Sequence, residues 1–105
     1  MWTALLTDDA IAELEALPDD QQARFTRTRL LIEEHGLERL KFPHARHIEG
    51  PLWEIRLKGK AGISRALYVL RVDQRVIVVR VFVKKTEKTP RREIDLALKR
   101  AKDIR

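Results

Sequence analysis

Cationic side chains recur at alternate positions in the stretch 52–88, which reads LWEIRLKGKAGISRALYVLRVDQRVIVVRVFVKKTEK. Successive side chains of a strand point to opposite faces, so residues two apart share a face. If the stretch forms a sheet, one face carries Glu54, Arg56 and Lys58, then Arg65 and Arg71, then Arg80 and Lys84. A row of guanidinium and ammonium groups suits an anion such as phosphate. The pattern therefore indicates an anion-binding surface, with RNA as the expected ligand.

The same stretch predicts three consecutive antiparallel strands, at 52–57, 63–72 and 76–83. These segments are rich in β-branched residues, and short turn-like breaks separate them. The second face of the strands is expected to be apolar and to pack in the core. Its members are Trp53, Ile55, Leu57, Ala66, Tyr68, Leu70, Val72, Ile77, Val79, Val81 and Val83.

Helices are predicted before and after this stretch of the sequence. Thr7 is a suitable N-cap for a first helix that ends at Pro18, and a second helix runs from there to Gly36. Thr89 as N-cap and Pro90 at the first helical position begin a C-terminal helix. Residues 2–6 could form an edge strand, and 36–51 is expected to be irregular. The predicted fold class is α+β, a single domain over 1–105 with a helix hairpin packed on a small, mostly antiparallel twisted sheet and a final helix.

The charge of the chain is divided unevenly along its length. Residues 1–36 hold eight acidic and three basic side chains, a net charge of −5, whereas residues 37–105 hold eight acidic and nineteen basic ones, a net charge of +11. A basic half of this kind is typical of a phosphate binder. The absence of cysteine excludes disulfides and thiolate metal sites and fits a cytoplasmic protein. No apolar run reaches the ~20 residues that span a membrane.

The three histidines lie in or at the start of the irregular segment. His44 and His47 are three residues apart, a spacing that allows two metal ligands on a helix, but Pro43 argues against a helix there and no third ligand is evident. We therefore expect no metal or other cofactor. His47 is interpreted as a residue that faces RNA.

Several sequence blocks together resemble the RelE/ParE toxin superfamily, in its phage-derived, HigB-type branch. They are LTDDAIAELEALPDD, GPLWEIR, ISRALYVL and VFVKKTEKTPRREIDLALKRA, in that order along nearly the whole chain. The resemblance implies the toxin of a type II toxin–antitoxin pair. In its RelE-like members the activity is metal-independent cleavage of mRNA in the ribosomal A site.

The resemblance also implies roles for particular residues. Arg65 in SRALY matches the arginine that contacts the scissile phosphate in RelE-like nucleases, and Arg56, Lys84, Lys85 and Lys88 match basic positions of the branch. RelE-like nucleases also place a tyrosine or histidine near the C-terminal end for proton transfer, and this chain has neither after Tyr68.

Cleavage of RNA without a metal needs a group that accepts the proton of the attacking 2′-hydroxyl and cations that stabilise the charged phosphoryl oxygens. Arg65 suits the second task because its fork pairs bidentately with phosphate, and Arg56 and Lys84 are its expected neighbours. Lys84 or Lys85 is favoured as the proton acceptor over Glu54, whose alternative role is to hold Arg56. Further RNA contacts are predicted at Arg80, Lys88, Lys58, Phe82 and His47.

Two other functions stay open from the sequence. A ParE-like inhibitor of DNA gyrase would use the same fold, and a basic domain could bind RNA without cutting it. The expected partners are a cognate antitoxin of helix-turn-helix type, mRNA and the ribosome, and no membrane. Arg65→Ala is expected to relieve growth arrest while leaving the fold intact.

Overall fold

The structure is a computed structural model that describes residues 1–40 and 44–104. Within these ranges the chain forms three α-helices, five strands and one short 3-10 turn. In order they are β1 (Thr3–Leu6), α1 (Asp8–Glu15), α2 (Asp19–His35), the 3-10 turn (Leu37–Arg39), β2 (Ala45–Glu49), β3 (Leu52–Gly59), β4 (Gly62–Arg71), β5 (Arg75–Val83) and α3 (Arg91–Lys102). The predicted α+β architecture is confirmed.

All five strands belong to one sheet with the order β1-β5-β4-β3-β2. The strands β2 to β5 are antiparallel neighbours, and β1 pairs with β5 in parallel. The three predicted strands and the predicted edge strand are therefore present. The strand β2 was not predicted. It has only five residues, and the prolines and glycines that flank it indicated an irregular segment.

Both faces of the sheet carry an apolar layer, which corrects the prediction of one apolar and one cationic face. Helices α1 and α2 cover one face through Phe25 and Ile32, which pack in a cluster with Ile55, Leu57 and Tyr68. The opposite face holds a second cluster under α3, formed by Leu52, Leu67, Val69, Ile77, Val79, Ala97 and Ala101. The cations Arg71 and Arg80 of this face lie beside α3, where they bond Ala101 and Glu93.

A β-bulge in β5 explains why the predicted core face of this strand was partly wrong. Leu67 pairs with Arg80 but its neighbour Tyr68 pairs with Val78, so Val79 is an extra residue. The extra residue reverses the alternation of side chains. Ile77 and Val79 therefore face α3, whereas Val81 faces the helix pair. Leu70, Val72 and Val83 were also predicted in the core but are exposed at or beyond strand ends.

The helix boundaries follow local signals, with one exception. The Thr7 hydroxyl accepts a hydrogen bond from the Ala10 amide at 3.2 Å, and α2 ends at Gly36, whose φ of 90° lies in the region that favours glycine. Thr89 was predicted to cap α3, but Pro90 occupies that position and the Thr89 side chain makes buried contacts instead. None of the helices in the described ranges is both long and apolar enough to cross a membrane.

Candidate functional site

A buried carboxylate, Glu54, lies at the centre of a hydrogen-bonded network on the α3 side of the sheet. Its side chain has no solvent exposure. Strand β2 places Arg46 directly opposite it, with Arg46 Nε 2.9 Å from one carboxylate oxygen. The other oxygen accepts from the Thr89 hydroxyl at 2.5 Å and from Arg65 Nη1 at 3.3 Å. The prediction that Glu54 holds Arg56 is therefore wrong, since its partners are Arg46, Arg65 and Thr89.

Arg65 connects this network to the segment 84–90 between β5 and α3. Its side chain is only 3% exposed. Nη1 donates to the Thr89 hydroxyl and Nη2 donates to the Glu87 carbonyl oxygen, both at 2.7 Å. Arg65 therefore anchors the segment 84–90 to the sheet. Arg65→Ala is therefore expected to lower stability as well as to remove a cation, because it would take a buried counter-charge from Glu54.

A cleft of about 390 Å³ lies beside this segment, between the end of α1, the end of β5 and the start of α3. We call it the basic cleft, because Arg65, Lys84, Lys85, Lys88 and Arg92 line it together with Phe82 and the paired Arg80. The side chains of Lys84, Lys85, Lys88 and Arg92 make no ion pair or hydrogen bond with residues 1–40 or 44–104. The cleft is thus a concave surface with several uncompensated positive charges.

One buried donor of the cleft lining lacks a partner. The Nε–H group of Arg65 makes no hydrogen bond within the described part of the chain, although the other guanidinium nitrogens do. Burying such a donor costs about 1–3 kcal/mol unless an acceptor reaches it. The nitrogen is itself buried, so in this conformation the donor is not presented to a ligand at the surface of the cleft.

Arg80 lies in the wall of the cleft but is not the free cation that the sequence suggested. Its Nη1 is 2.6 Å from Glu13 and its Nε is 2.7 Å from Glu93, and the hydrogen bond that Arg80 donates to Glu93 raises the pKa of Arg80. Arg100 also contacts Glu13, so this cluster joins α1, β5 and α3. The Arg80 guanidinium lies 5.7 Å from the centre of the Phe82 ring. Arg80 shapes the cleft, and its charge is compensated.

The structure does not bring all predicted site residues together. Arg56 and Lys58 line a second cavity, at the outer edge of β3. His47 lies on β2, where its ring contacts Trp53 at 5.1 Å and its Nε2 is 2.7 Å from the Gly50 carbonyl oxygen. His47 lines a third, largely apolar cavity. Arg56 nevertheless pairs directly with Arg65 across β3 and β4, as its predicted neighbour, although it lines a different cavity from Lys84.

Sequence reasoning missed two features of the cleft. Arg92 was not named among the predicted site residues, yet it lines the cleft because α3 begins directly beside the segment 84–90. Its position in the first turn after a basic segment was the available signal. The anchoring of Glu87 and Thr89 by Arg65 had no signal in the sequence, because it depends on the register of β3 and β4.

Potential metal ligands do not cluster in the described residues. Within 1–40 and 44–104, no group of three or more histidine, aspartate or glutamate side chains is placed to hold a metal ion.

Comparison with solved structures identifies the fold. The archaeal RelE–RelB complex from Pyrococcus horikoshii OT3 contains a chain that matches with a TM-score of 0.57 at 21% identity, over 78% of this chain and 93% of that chain. The toxin–antitoxin complex RelBE2 from Mycobacterium tuberculosis matches with a TM-score of 0.51 at 20% identity, over 79% and 91%. The fold is RelE-like, as predicted.

A match to a family model identifies the family of this chain. The chain belongs to the family described as phage derived protein Gp49-like (DUF891), which it matches over residues 12–102. The predicted phage-derived branch of the superfamily is thereby confirmed. The chain has no significant match among curated proteins.

Proposed function

We propose that the protein is the toxin of a type II toxin–antitoxin pair, of HigB type, and acts in the cytoplasm as a ribosome-dependent, metal-independent endoribonuclease that cleaves mRNA in the A site. The observation that carries this proposal is the basic cleft, with its four unpaired cations. Family membership and the RelE-like fold support it. A gyrase inhibitor would have no need of a concave cluster of uncompensated cations.

The reaction assigns separate tasks to the residues of the cleft. The 2′-hydroxyl loses a proton and attacks the adjacent phosphorus, and the 5′-oxygen leaves. Lys88 and Arg92, together with whichever of Lys84 and Lys85 does not accept the proton, would neutralise the charge that develops on the phosphoryl oxygens. Phe82, which is partly buried and lines the cleft, has a ring on which a base could stack.

The proton acceptor is proposed to be Lys84 or Lys85. Glu54, the alternative, has no exposure and uses both carboxylate oxygens for Arg46, Arg65 and Thr89, so it would have to break these contacts to reach a substrate. Lys84 is fixed at the end of β5 by a hydrogen bond from its amide to the Ile63 carbonyl oxygen at 2.8 Å, and its side chain lines the cleft. Glu54 instead orients Arg65.

A cognate antitoxin is proposed to neutralise the protein by covering or distorting the basic cleft with acidic side chains. The solved relatives are complexes of a RelE-type toxin with a RelB antitoxin. The net charge of +11 over residues 37–105 would favour an acidic partner and would make the affinity sensitive to salt.

The test is single-turnover cleavage of mRNA on programmed ribosomes, with ribosome binding measured separately. Lys84→Met or Lys85→Met should slow cleavage by about 10²–10⁴-fold, the usual contribution of a general acid or base, and should weaken binding much less. Lys99→Met is the matched control, because Lys99 is an exposed lysine of α3 that does not line the cleft.

Mapping of mRNA 5′ ends after induced expression supplies the cellular readout. Cuts within codons that depend on translation are expected. Normal cleavage by both Lys84→Met and Lys85→Met would contradict the assignment of the active site to the basic cleft. Growth arrest with intact mRNA and inhibited gyrase would contradict the proposed endoribonuclease activity.

A further inference from the structure

A second basic cavity, separate from the cleft, lies between α2 and the outer edge of β3. It has a volume of about 350 Å³, and we call it the edge groove. Its lining residues are Arg24, Thr28, Leu31, Arg39, Leu40, His44, Ile55, Arg56 and Lys58. It shares no residue with the basic cleft, and its described lining contains four permanent cations and no carboxylate.

These cations are available to a ligand. The side chains of Arg39, Arg56 and Lys58 make no ion pair or hydrogen bond with any part of the chain that the structure describes. Arg24 is held in place because its Nε donates to the Lys58 carbonyl oxygen at 3.2 Å, which leaves both terminal nitrogens unbonded. A fixed guanidinium with free donors is suited to an anionic oxygen.

Residues at the β3–β4 turn contact the first turn of α2 and so fix the position of this helix, which forms one wall of the groove. Gly59 allows the first turn of α2 to approach closely, since a Cβ atom at that position would collide with the Asp20 carboxylate. Asp20 accepts a hydrogen bond from the Ala61 amide at 2.8 Å, so this carboxylate is used at the turn rather than by the groove cations. The position of α2 beside β3 is thereby fixed, and with it the position of the Arg24 backbone.

We propose that the edge groove binds the phosphodiester backbone of base-paired RNA. Among the described lining residues the one aromatic ring is that of His44, against four cations, so this lining is suited to phosphates more than to the stacked bases of a single strand. A paired stem presents its phosphates outward, and cations alone suffice to bind them without reading sequence.

An acidic peptide added as a further strand is disfavoured at this edge. The Arg56 amide already donates to the His44 carbonyl oxygen at 2.9 Å, and the Lys58 carbonyl oxygen already accepts from Arg24. Two of the backbone groups that strand addition would need are thus occupied.

The test measures binding of an RNA hairpin of about ten base pairs as a function of salt, with no ribosome and no cleavage step. Arg39→Gln/Arg56→Gln removes two groove cations whose side chains make no contact needed for folding. Arg27→Gln/Lys99→Gln is the control, because it removes the same charge from exposed positions outside the groove. Each lost phosphate contact lowers the slope of log K against log salt by about 0.7–0.9.

We expect the groove variant to weaken hairpin binding at least tenfold at low salt and to reduce the slope by more than one. The control should change the slope by much less. Equal losses in both variants would overturn the proposal, since they would report net charge alone. A groove variant that keeps RNA affinity and loses antitoxin affinity would assign the groove to a protein partner and would also overturn it.

The proposal rests on the proposed function only for the expectation that the natural ligand is RNA. The two can fail independently. Loss of hairpin binding by the groove variant together with normal cleavage by the Lys84 and Lys85 variants would support the groove and refute the cleft. Normal hairpin binding by the groove variant, together with slowed cleavage by the Lys84 and Lys85 variants, would refute the groove and leave the cleft supported.

Discussion

The buried pair formed by Glu54 and Arg65 allows a quantitative test of whether Arg65 has a structural role. Three variants are needed: Glu54→Leu, Arg65→Met and the combination of both. Each single substitution leaves one charge of the pair without its closest buried partner, because Glu54 has no exposure and Arg65 is 3% exposed. Removing one member of a buried ion pair typically costs about 3–5 kcal/mol.

The double variant should lose less stability than the sum of the two single losses. With both charges gone, apolar side chains of similar volume fill the site, and Arg46 can turn to water because its side chain is 38% exposed. The coupling free energy is expected to be about 1–3 kcal/mol. For a chain of this length, a single loss of 3 kcal/mol corresponds to a fall of the melting temperature of at least about 12 °C.

Urea unfolding followed by circular dichroism measures these free energies. Hydrogen exchange of the amides in 84–90 adds an independent readout, because Arg65 bonds Glu87 and Thr89. Arg65→Met should speed exchange there, whereas Lys84→Met, which removes no hydrogen bond of the side chain, should not. The anchoring role would be refuted if the stability losses of the two single variants summed to that of the double variant within about 0.5 kcal/mol. Unchanged amide exchange in 84–90 of Arg65→Met would also refute it.

Two further predictions concern stability. Burial raises the pKa of Tyr68 to about 12 from the ordinary value of 10.0. Because the folded state holds this proton more tightly, the associated stability is complete below pH 10 and is lost as the pH rises to 12, by about 3 kcal/mol relative to Tyr68→Phe measured in parallel. An identical alkaline profile for the two proteins would contradict this. Glu13→Gln should destabilise the protein by about 1–3 kcal/mol, since Arg80 and Arg100 both bond this carboxylate, and thermal unfolding at low and high salt tests it. A change below 0.5 kcal/mol at low salt would show that Glu93 alone compensates Arg80.

Local signals in the sequence predicted the fold class and most of its elements, whereas the arrangement of the site depended on how the strands pair. Alternation placed Glu54, Arg56 and Lys58 on one face, and Thr7 and Gly36 marked helix ends, because these features depend on near neighbours alone. The separation of Arg56 from Lys84 could not be predicted in this way. It arises where β2 stops pairing with β3 and α2 reaches its edge, and both depend on contacts between distant parts of the chain.

The bulge at Val79 had no sequence signal either, and neither did the burial of Arg65. An arginine in a strand looks the same in sequence whether it faces water or a buried carboxylate. Only the pairing of β3 with β4 and the return of the segment 84–90 over the sheet decide between the two.

The anchoring of segment 84–90 has a consequence for how the protein can evolve. Its position is set by the Glu87 carbonyl oxygen and the Thr89 hydroxyl, whereas the side chains of Lys84, Lys85 and Lys88 make no contact that holds it. A main-chain carbonyl is present whatever residue occupies position 87. Substitutions at the three lysines should therefore leave stability within about ±0.5 kcal/mol, the range of ordinary surface changes. Related chains could diversify the lysines of the cleft, and with them the ligand, without rebuilding the scaffold that presents it.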